Sequence, residues 1–278
     1  MNLILIIITI TLIPFISAIY DGYKAEQYQF PYIVLINSPQ FYCAGVLISK
    51  QHILTAAHCL MSVPTGGSIK VSLGVYEYYG SSYSDGELIK SKKFWIHEKF
   101  SMPSAVNDIG LIELPKPIVP SNKVNFIGID NRNYPDYDQK DTQVVIAGWG
   151  FVKSQQIAKQ LRYTNMTLMP LYECMKYSSH YIESLTNNHI CVTKITGFPC
   201  KLESSKLDYY IFSGDSGTPL VSTKSGKIVG ILSYVKDAEN GVDLGKNDCK
   251  SNVPAVATRI AFYLDWIAER SGLKFKRV

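Results

Sequence analysis

The stretch Tyr42-Cys-Ala-Gly-Val-Leu-Ile-Ser49, with Leu54-Thr-Ala-Ala-His58-Cys59 close behind it, decides how this chain is read. Its first part is a short apolar run of β type, and its second sets a histidine beside a cysteine. Runs of the first kind recur on both sides: Tyr32–Ile36, Ile69–Val75, Glu87–His97 and Ile109–Leu114, then Gln143–Trp149, Leu161–Met169, Thr218–Val221, Ile228–Val235 and Ala255–Arg259. Many short runs separated by Gly, Pro, Ser and Asn predict an all-β protein, a sandwich or a barrel. The polar stretch Asp130–Asp141, with Tyr134, Pro135 and Tyr137, reads as a link between two halves. One helix is expected at the end, over residues 260–270. Ile260, Tyr263, Leu264 and Ile267 fall at helical spacing, and Gly272 offers a stop. Its apolar stripe is expected to pack on the second half.

With 278 residues, 46% hydrophobic and 18% charged, the chain can bury a large core and is unlike a disordered segment. A net charge of +5 is mild for this size, and the short basic tail Lys274–Arg277 reads as a solvated terminus. Nucleic acid is therefore not an expected partner. From Leu3 to Ile13 the sequence is apolar except for Thr9 and Thr11, and Pro14 and Ser17-Ala18 follow. This pattern predicts a secretory signal over residues 1–18, although no Lys or Arg precedes the run, and it is short for a membrane span. No later segment is long and apolar enough to cross a bilayer, so no membrane association is expected. Six cysteines (Cys43, Cys59, Cys174, Cys191, Cys200 and Cys249) fit export and predict three bridges, with many connectivities open. Cys-x-x-Cys and His-Glu-x-x-His are both absent, so no metal site is expected.

Three local sequences carry chemistry. His58 precedes Cys59, Asn107-Asp108-Ile109 leads into an apolar strand, and Gly214-Asp-Ser216-Gly217 sets a serine in a glycine-flanked turn. A serine hydroxyl attacks well only when a base takes its proton. Histidine suits that task near neutral pH, and a buried carboxylate fixes the imidazole tautomer and stabilises the imidazolium.

In these contexts, and in the order His, Asp, Ser, the chain resembles the trypsin/chymotrypsin family of serine proteases. The resemblance runs from Ile19 to the final helix through Phe30-Pro31-Tyr32, Cys43-Ala-Gly45, Thr55-Ala-Ala-His-Cys59, Asp108-Ile-Gly-Leu-Ile-Glu-Leu114, Gly148-Trp-Gly150, Gly214-Asp-Ser-Gly217 and Ser233-Tyr234. It implies two antiparallel β-barrels with a C-terminal helix, the first barrel over about 19–129 and the second over about 130–259. It also implies a peptidase with no cofactor, acting as a monomer on protein or peptide substrates and met by protease inhibitors. His58, Asp108 and Ser216 would be its triad, the N–H groups of Gly214 and Ser216 its oxyanion hole, and Ser233 a support for Asp108. Asp215 would pair with a new α-amino group at Ile19, the family's activation switch. Ile19 directly follows Ala18 and no Lys or Arg precedes it, so signal cleavage is itself expected to expose that amino group. By analogy Cys43 pairs with Cys59, Cys174 with Cys191, and Cys200 with Cys249.

The resemblance thins at the specificity region. Six residues before the nucleophile, where enzymes that cut after Lys or Arg carry Asp, stands Tyr210, and Phe212 replaces a customary cysteine. Val235 and Ala255 take pocket-wall positions that are commonly glycine, which predicts cleavage after small or medium apolar residues. Thr218 replaces a glycine and is expected to strain the backbone. Val75 stands where a calcium ligand usually sits near Glu77 and Glu87, so no calcium is expected. His52, His97, His180 and His189 are read as structural or exposed. Asn165-Met-Thr167 fits a glycosylation acceptor. Two other classes compete: a protease homologue without turnover that acts by binding, and a lipase or esterase. The latter is disfavoured by the chain order and by the lack of Gly-x-Ser-x-Gly.

Overall fold

In the computed structural model, residues 22–38, 42–79, 85–102, 104–131, 142–152, 156–177, 185–194, 214–235 and 254–275 are described below. The strands are β1 (Tyr23–Lys24), β2 (Ile33–Asn37), β3 (Tyr42–Leu47), β4 (His52–Thr55), β5 (Ile69–Leu73), β6 (Glu87–Ser91), β7 (Lys93–Ile96) and β8 (Gly110–Glu113). There follow β9 (Gln143–Gly148), β10 (Phe151–Val152), β11 (Gln156–Ile157), β12 (Arg162–Met169), β13 (His189–Lys194), β14 (Pro219–Ser222), β15 (Ile228–Val235) and β16 (Ala255–Arg259). Two helices complete the set, α1 (Leu171–Cys174) and α2 (Leu264–Ser271).

Among the described residues, β10 and β11 pair as a separate two-stranded ribbon, and the other strands form two seven-stranded antiparallel sheets, ordered β6-β5-β2-β3-β4-β8-β7 and β1-β12-β13-β16-β15-β14-β9, the second curled so that β9 also pairs with β12. Each sheet is curled around its own apolar cluster. Val34, Ile36, Val46, Leu54, Val71 and Leu111 lead the first; Ile146, Met166, Leu168, Ile190, Leu220 and Leu232 lead the second. A third cluster joins Ile33 and Leu35 of β2 to Ala147 of β9, Trp149 and Leu161. Trp149 is fully buried there, and its indole N–H reaches the Tyr76 carbonyl at 3.4 Å. Trp149→Ala is expected to cost about 3–5 kcal/mol, read as a lower urea midpoint; a loss below about 1 kcal/mol would mean the cluster does not help join the halves.

Three expectations change. Glu87–His97 is not one strand: it breaks at Lys92, and β6 and β7 lie on opposite edges of their sheet. Ser91 makes the break by accepting the Lys93 N–H (3.1 Å) and donating to the Glu113 carbonyl (2.5 Å). The first half also lends a strand to the second, because β1 pairs with β12. Finally, residues 260–263 form a 3-10 turn that lies against β15 of the second sheet, and only α2, which follows it, packs on β8 of the first. Ile260, Tyr263, Leu264 and Ile267 join the first cluster. His97 packs edge-on to Tyr263, and Glu98 takes the Trp266 indole N–H (2.9 Å) and the Arg270 guanidinium. Arg270 holds the Glu98 carboxyl down at about 2. Gly272 ends α2 at φ 72°, a left-handed conformation that glycine adopts without strain.

Candidate active site

His58 lies in a single 3-10 turn, residues 57–59, directly after β4. The Cys43–Cys59 disulfide pins that turn to β3, closing a loop of 16 residues, which is worth roughly 3 kcal/mol. Asp108 enters β8, the neighbour of β4, so sheet pairing brings the carboxylate under the histidine. The contact is direct: His58 Nδ1 lies 2.8 Å from Asp108 Oδ2, and the His58 backbone N–H donates to Oδ1 at 2.9 Å. Ser233, from β15 of the second sheet, donates its hydroxyl to the same Oδ2. Burial pushes the Asp108 carboxyl up, but the His58 charge and these hydrogen bonds outweigh it and hold the group below the ordinary carboxylate range. The arrangement fixes an imidazole with its proton on Nδ1 and leaves Nε2 the basic nitrogen.

Ser216 sits in a tight turn before β14, buried beside that histidine turn. Its carbonyl accepts the Ala44 N–H at 2.7 Å and faces Cys59 Sγ at 3.8 Å. Gly217 makes the fit possible: its φ is 84°, and a Cβ there would lie 2.1 Å from the Ala44 carbonyl oxygen. Thr218 shows none of the expected strain, because its φ is not in the left-handed region. Its hydroxyl donates to the Ala147 carbonyl at 3.2 Å, and its N–H to the Asp215 carbonyl at 3.0 Å.

The Asp215 carboxylate enters a space lined by Gly148 and Gly150. A Cβ on Gly150 would lie 1.8 Å from Asp215 Oδ2, so the Gly-Trp-Gly segment must lack side chains on either side of Trp149. Oδ1 accepts the Gly150 N–H at 2.9 Å, while Oδ2 is buried with no hydrogen-bond partner among the described residues. Burial raises this carboxyl to about 7, against the lowering effect of the Gly150 N–H. The Gly214 N–H donates to the Tyr42 carbonyl at 2.8 Å, so it must leave that bond before it can serve an oxyanion.

Several supporting residues escaped the sequence reading. Thr258 donates its hydroxyl to the Asp108 carbonyl at 2.8 Å, and Thr55 to the Ala44 carbonyl at 2.8 Å. Thr258 shows in the sequence only as a hydroxyl inside an apolar run, which is common, and Thr55 only as a member of the Thr55-Ala-Ala-His-Cys59 motif. The Cys174–Cys191 bridge ties α1 to β13. Cys200, Cys249, Ile19 and Tyr210 lie outside the described residues, as does the side chain of Val235; Ala255 is buried on β16. Asn165 stands half-buried on β12. His52 is buried against Ser49 (2.9 Å) and His97 is partly buried, while His180 is not described. Near Val75, the Glu77 carboxylate takes the Gln160 amide (2.8 Å) and the Tyr79 hydroxyl (2.7 Å). Cys43, His58 and Cys59 cluster closely among the described residues, but both thiols are consumed in the disulfide.

Two curled antiparallel sheets, with the linked His58 and Asp108 between them, define a protein of the chymotrypsin-like fold. A family model described as Trypsin matches residues 19–267, and the chain belongs to that family of serine proteases. It is similar to the clotting factor G beta subunit of Tachypleus tridentatus, 30% identical over 272 residues that cover 92% of this chain and 80% of that one. Trypsin II-P29 of Gallus gallus is 32% identical over 254 residues, covering 90% and 88%. Among solved structures, HL collagenase superposes with a TM-score of 0.70 at 25% identity, covering 92% of this chain and 99% of its own.

Proposed function

We propose that this chain is a secreted serine endopeptidase that cleaves peptide bonds through an acyl-enzyme. The observation that carries the reading is the Asp108 carboxylate, held by the His58 N–H and the Ser233 hydroxyl against His58 Nδ1 at 2.8 Å. In the proposed reaction His58 Nε2 takes the Ser216 hydroxyl proton as Oγ bonds to the substrate carbonyl carbon. The resulting oxyanion is met by the N–H groups of Gly214 and Ser216, each such donor worth about 10²–10³ in rate. His58 then returns the proton to the leaving amine, and the same steps with water release the acid.

Secretion is supported by the apolar run in residues 1–18 and by the two disulfides. No helix among the described residues is long and apolar enough to cross a membrane. The expected partners are protein or peptide substrates and protease inhibitors, and Asn165 is the proposed glycan site. A fluorophosphonate probe tests the central claim: it should label the secreted protein at Ser216 alone, and labelling elsewhere, or none, would defeat it.

Specificity follows from Tyr210, which carries no charge to neutralise a buried guanidinium or ammonium. Ala255, a pocket-wall position by family resemblance, would narrow one wall further with its methyl group. A peptide library should be cut mainly after Ala, Val or Leu; a profile dominated by Lys and Arg would overturn this assignment.

A further inference from the structure

Asn107, the residue before Asp108, is gripped from two sides. Its amide Nδ2 donates to the Lys99 carbonyl at 2.8 Å, and its Oδ1 accepts the Tyr263 hydroxyl at 2.9 Å. A carbonyl can only accept, so Nδ2 is the atom that faces Lys99 and Oδ1 is left to face the tyrosine. Tyr263 is therefore the donor of that pair. Burial raises its hydroxyl to about 12, so it stays protonated near neutral pH.

Asn107 takes a left-handed conformation at φ 60°, a region that asparagine tolerates better than most residues with a side chain. That bend turns the chain out of the loop after β7 and into β8. The loop is closed on itself by the Phe100 N–H on the His97 carbonyl (2.9 Å) and the Ser101 N–H on the Val106 carbonyl (3.2 Å). Beyond Asp108, the Ile109 N–H returns to the Asn107 carbonyl at 2.8 Å, so Asp108 is the middle residue of a three-residue turn. Any rotation of Asn107 is passed to Asp108 through this turn.

Tyr263 is anchored in its own right. It ends the 3-10 turn that follows β16, is 3% exposed, and meets the His97 ring edge-on at 5.3 Å. The His97 N–H in turn donates to the Ile109 carbonyl at 3.1 Å. The second half of the chain thus reaches the Asp108 backbone through the Thr258 hydroxyl on the Asp108 carbonyl and through the Tyr263 hydroxyl on Asn107. Few side chains could replace Asn107. Glycine would keep the bend and lose both bonds, alanine would also strain the bend, and aspartate could not donate to the Lys99 carbonyl.

We propose that Asn107 and Tyr263 are positioning residues for Asp108: the segment after the last strand, through the Tyr263 hydroxyl, clamps Asn107 and so sets the angle at which the Asp108 carboxylate meets His58 Nδ1. The bonds that Asp108 makes to His58 and Ser233 are only as well aimed as the backbone that carries them. Hydrogen bonds weaken steeply once donor and acceptor fall out of line, so a small rotation of this turn is felt at the imidazole. Both residues act through Asp108 and have no chemistry of their own in the reaction.

The consequence for turnover rests on the peptidase reading; the positioning claim does not, and the experiment separates them. Histidine-selective NMR of the whole mature chain should find His58 protonated on Nδ1, with that proton far downfield in its bond to Asp108. Tyr263→Phe removes one oxygen and keeps the ring against His97, so it should fold, and it should shift or broaden that resonance. Asn107→Gly, which takes φ 60° without strain, should do so more strongly. In turnover both should lower kcat, by about fivefold for Tyr263→Phe and about tenfold or more for Asn107→Gly, with KM little changed, because the fault lies in Asp108 and not in substrate contacts. The loss in the double variant should fall short of the product of the two, since both single changes break the same bond. A His58 Nδ1 resonance unmoved in both variants would overturn the proposal whether or not the chain is an enzyme. That holds even if the urea midpoints fall, because the two residues would then be structural only. Losses that multiply in the double variant, or a raised KM with kcat unchanged, would also overturn it. Should Asn107→Gly fail to fold, Tyr263→Phe decides alone by its resonance and its kcat. If the wild type turns over no peptide and takes up no fluorophosphonate, the peptidase reading has failed and the NMR result still decides the role of the clamp.

Discussion

Replacing Ser216 with alanine is expected to leave the fold intact and to lower peptide hydrolysis by about 10⁴–10⁶-fold. The fold should survive because what the turn needs from Ser216 is its backbone: its carbonyl accepts the Ala44 N–H, and that bond does not involve the hydroxyl. Removing Oγ leaves His58 a base with no proton to take. Residual cleavage would come from substrate binding and any oxyanion stabilisation that remains. A casein or peptide assay with matched circular dichroism and urea midpoints reads both halves of the statement. Wild-type turnover in the variant would rule out Ser216 as nucleophile; an unfolded variant would instead show that the hydroxyl is structural. Asp108→Asn makes an independent probe of the same geometry, expected to cost about 10⁴-fold by favouring the wrong His58 tautomer.

Much of this site could be read from residues because its members sit in short, local, ordered contexts. The histidine beside a cysteine, the aspartate before an apolar strand and the serine between glycines each place one group at a strand end. The disulfide partners of Cys43 and Cys174 were likewise legible through family resemblance. What could not be read is decided by contacts distant in sequence. β4 is only four residues long, and β13 carries His189, Cys191 and Lys194 within it, so neither shows a clean alternation. Yet β13 is central, paired on both sides by β12 and β16, and inter-strand pairing, not its own pattern, makes it a strand. The split of Glu87–His97 follows from barrel closure: a continuous run in sequence must leave one sheet edge and enter the other. The docking of α2 on the first barrel could not be inferred from chain order, because an amphipathic stripe states that a helix is covered and not by which half. For the same reason the holds on Asp108 from Ser233 and Thr258 both come from the opposite half of the chain.

A chain that begins at Ile19 and one that carries an extra residue before it are expected to differ sharply, and Asp215 is the reason. This carboxyl is 2% exposed, receives one N–H on Oδ1, and has Oδ2 buried without a hydrogen bond among the described residues. Its pKa is raised to about 7 by burial, so in the extended chain the protonated form is favoured in the fold. The sign follows: stability from this group is fully present below the ordinary carboxylate value near 4 and is lost as pH rises through about 7. At about 1.4 kcal/mol per pKa unit the loss is of order 4 kcal/mol. An α-ammonium at Ile19, placed against Oδ2, would reverse that balance, because an opposite charge in a buried site favours the ionised form. The Gly214 N–H would then be expected to leave the Tyr42 carbonyl, since Gly214 directly precedes Asp215 and its backbone must turn as Asp215 is drawn to its new partner. Urea melts should therefore show the extended chain weakening from about pH 4 to 8, and the Ile19 chain keeping its stability over the same window. Activity at neutral pH should be low in the extended chain and rise by orders of magnitude when the extra residue is removed. Asp215→Asn should abolish both the stability trend and the response to the new amino terminus. Full activity in the extended chain, or in Asp215→Asn, would show that the amino terminus at Ile19 has no part in building the oxyanion site.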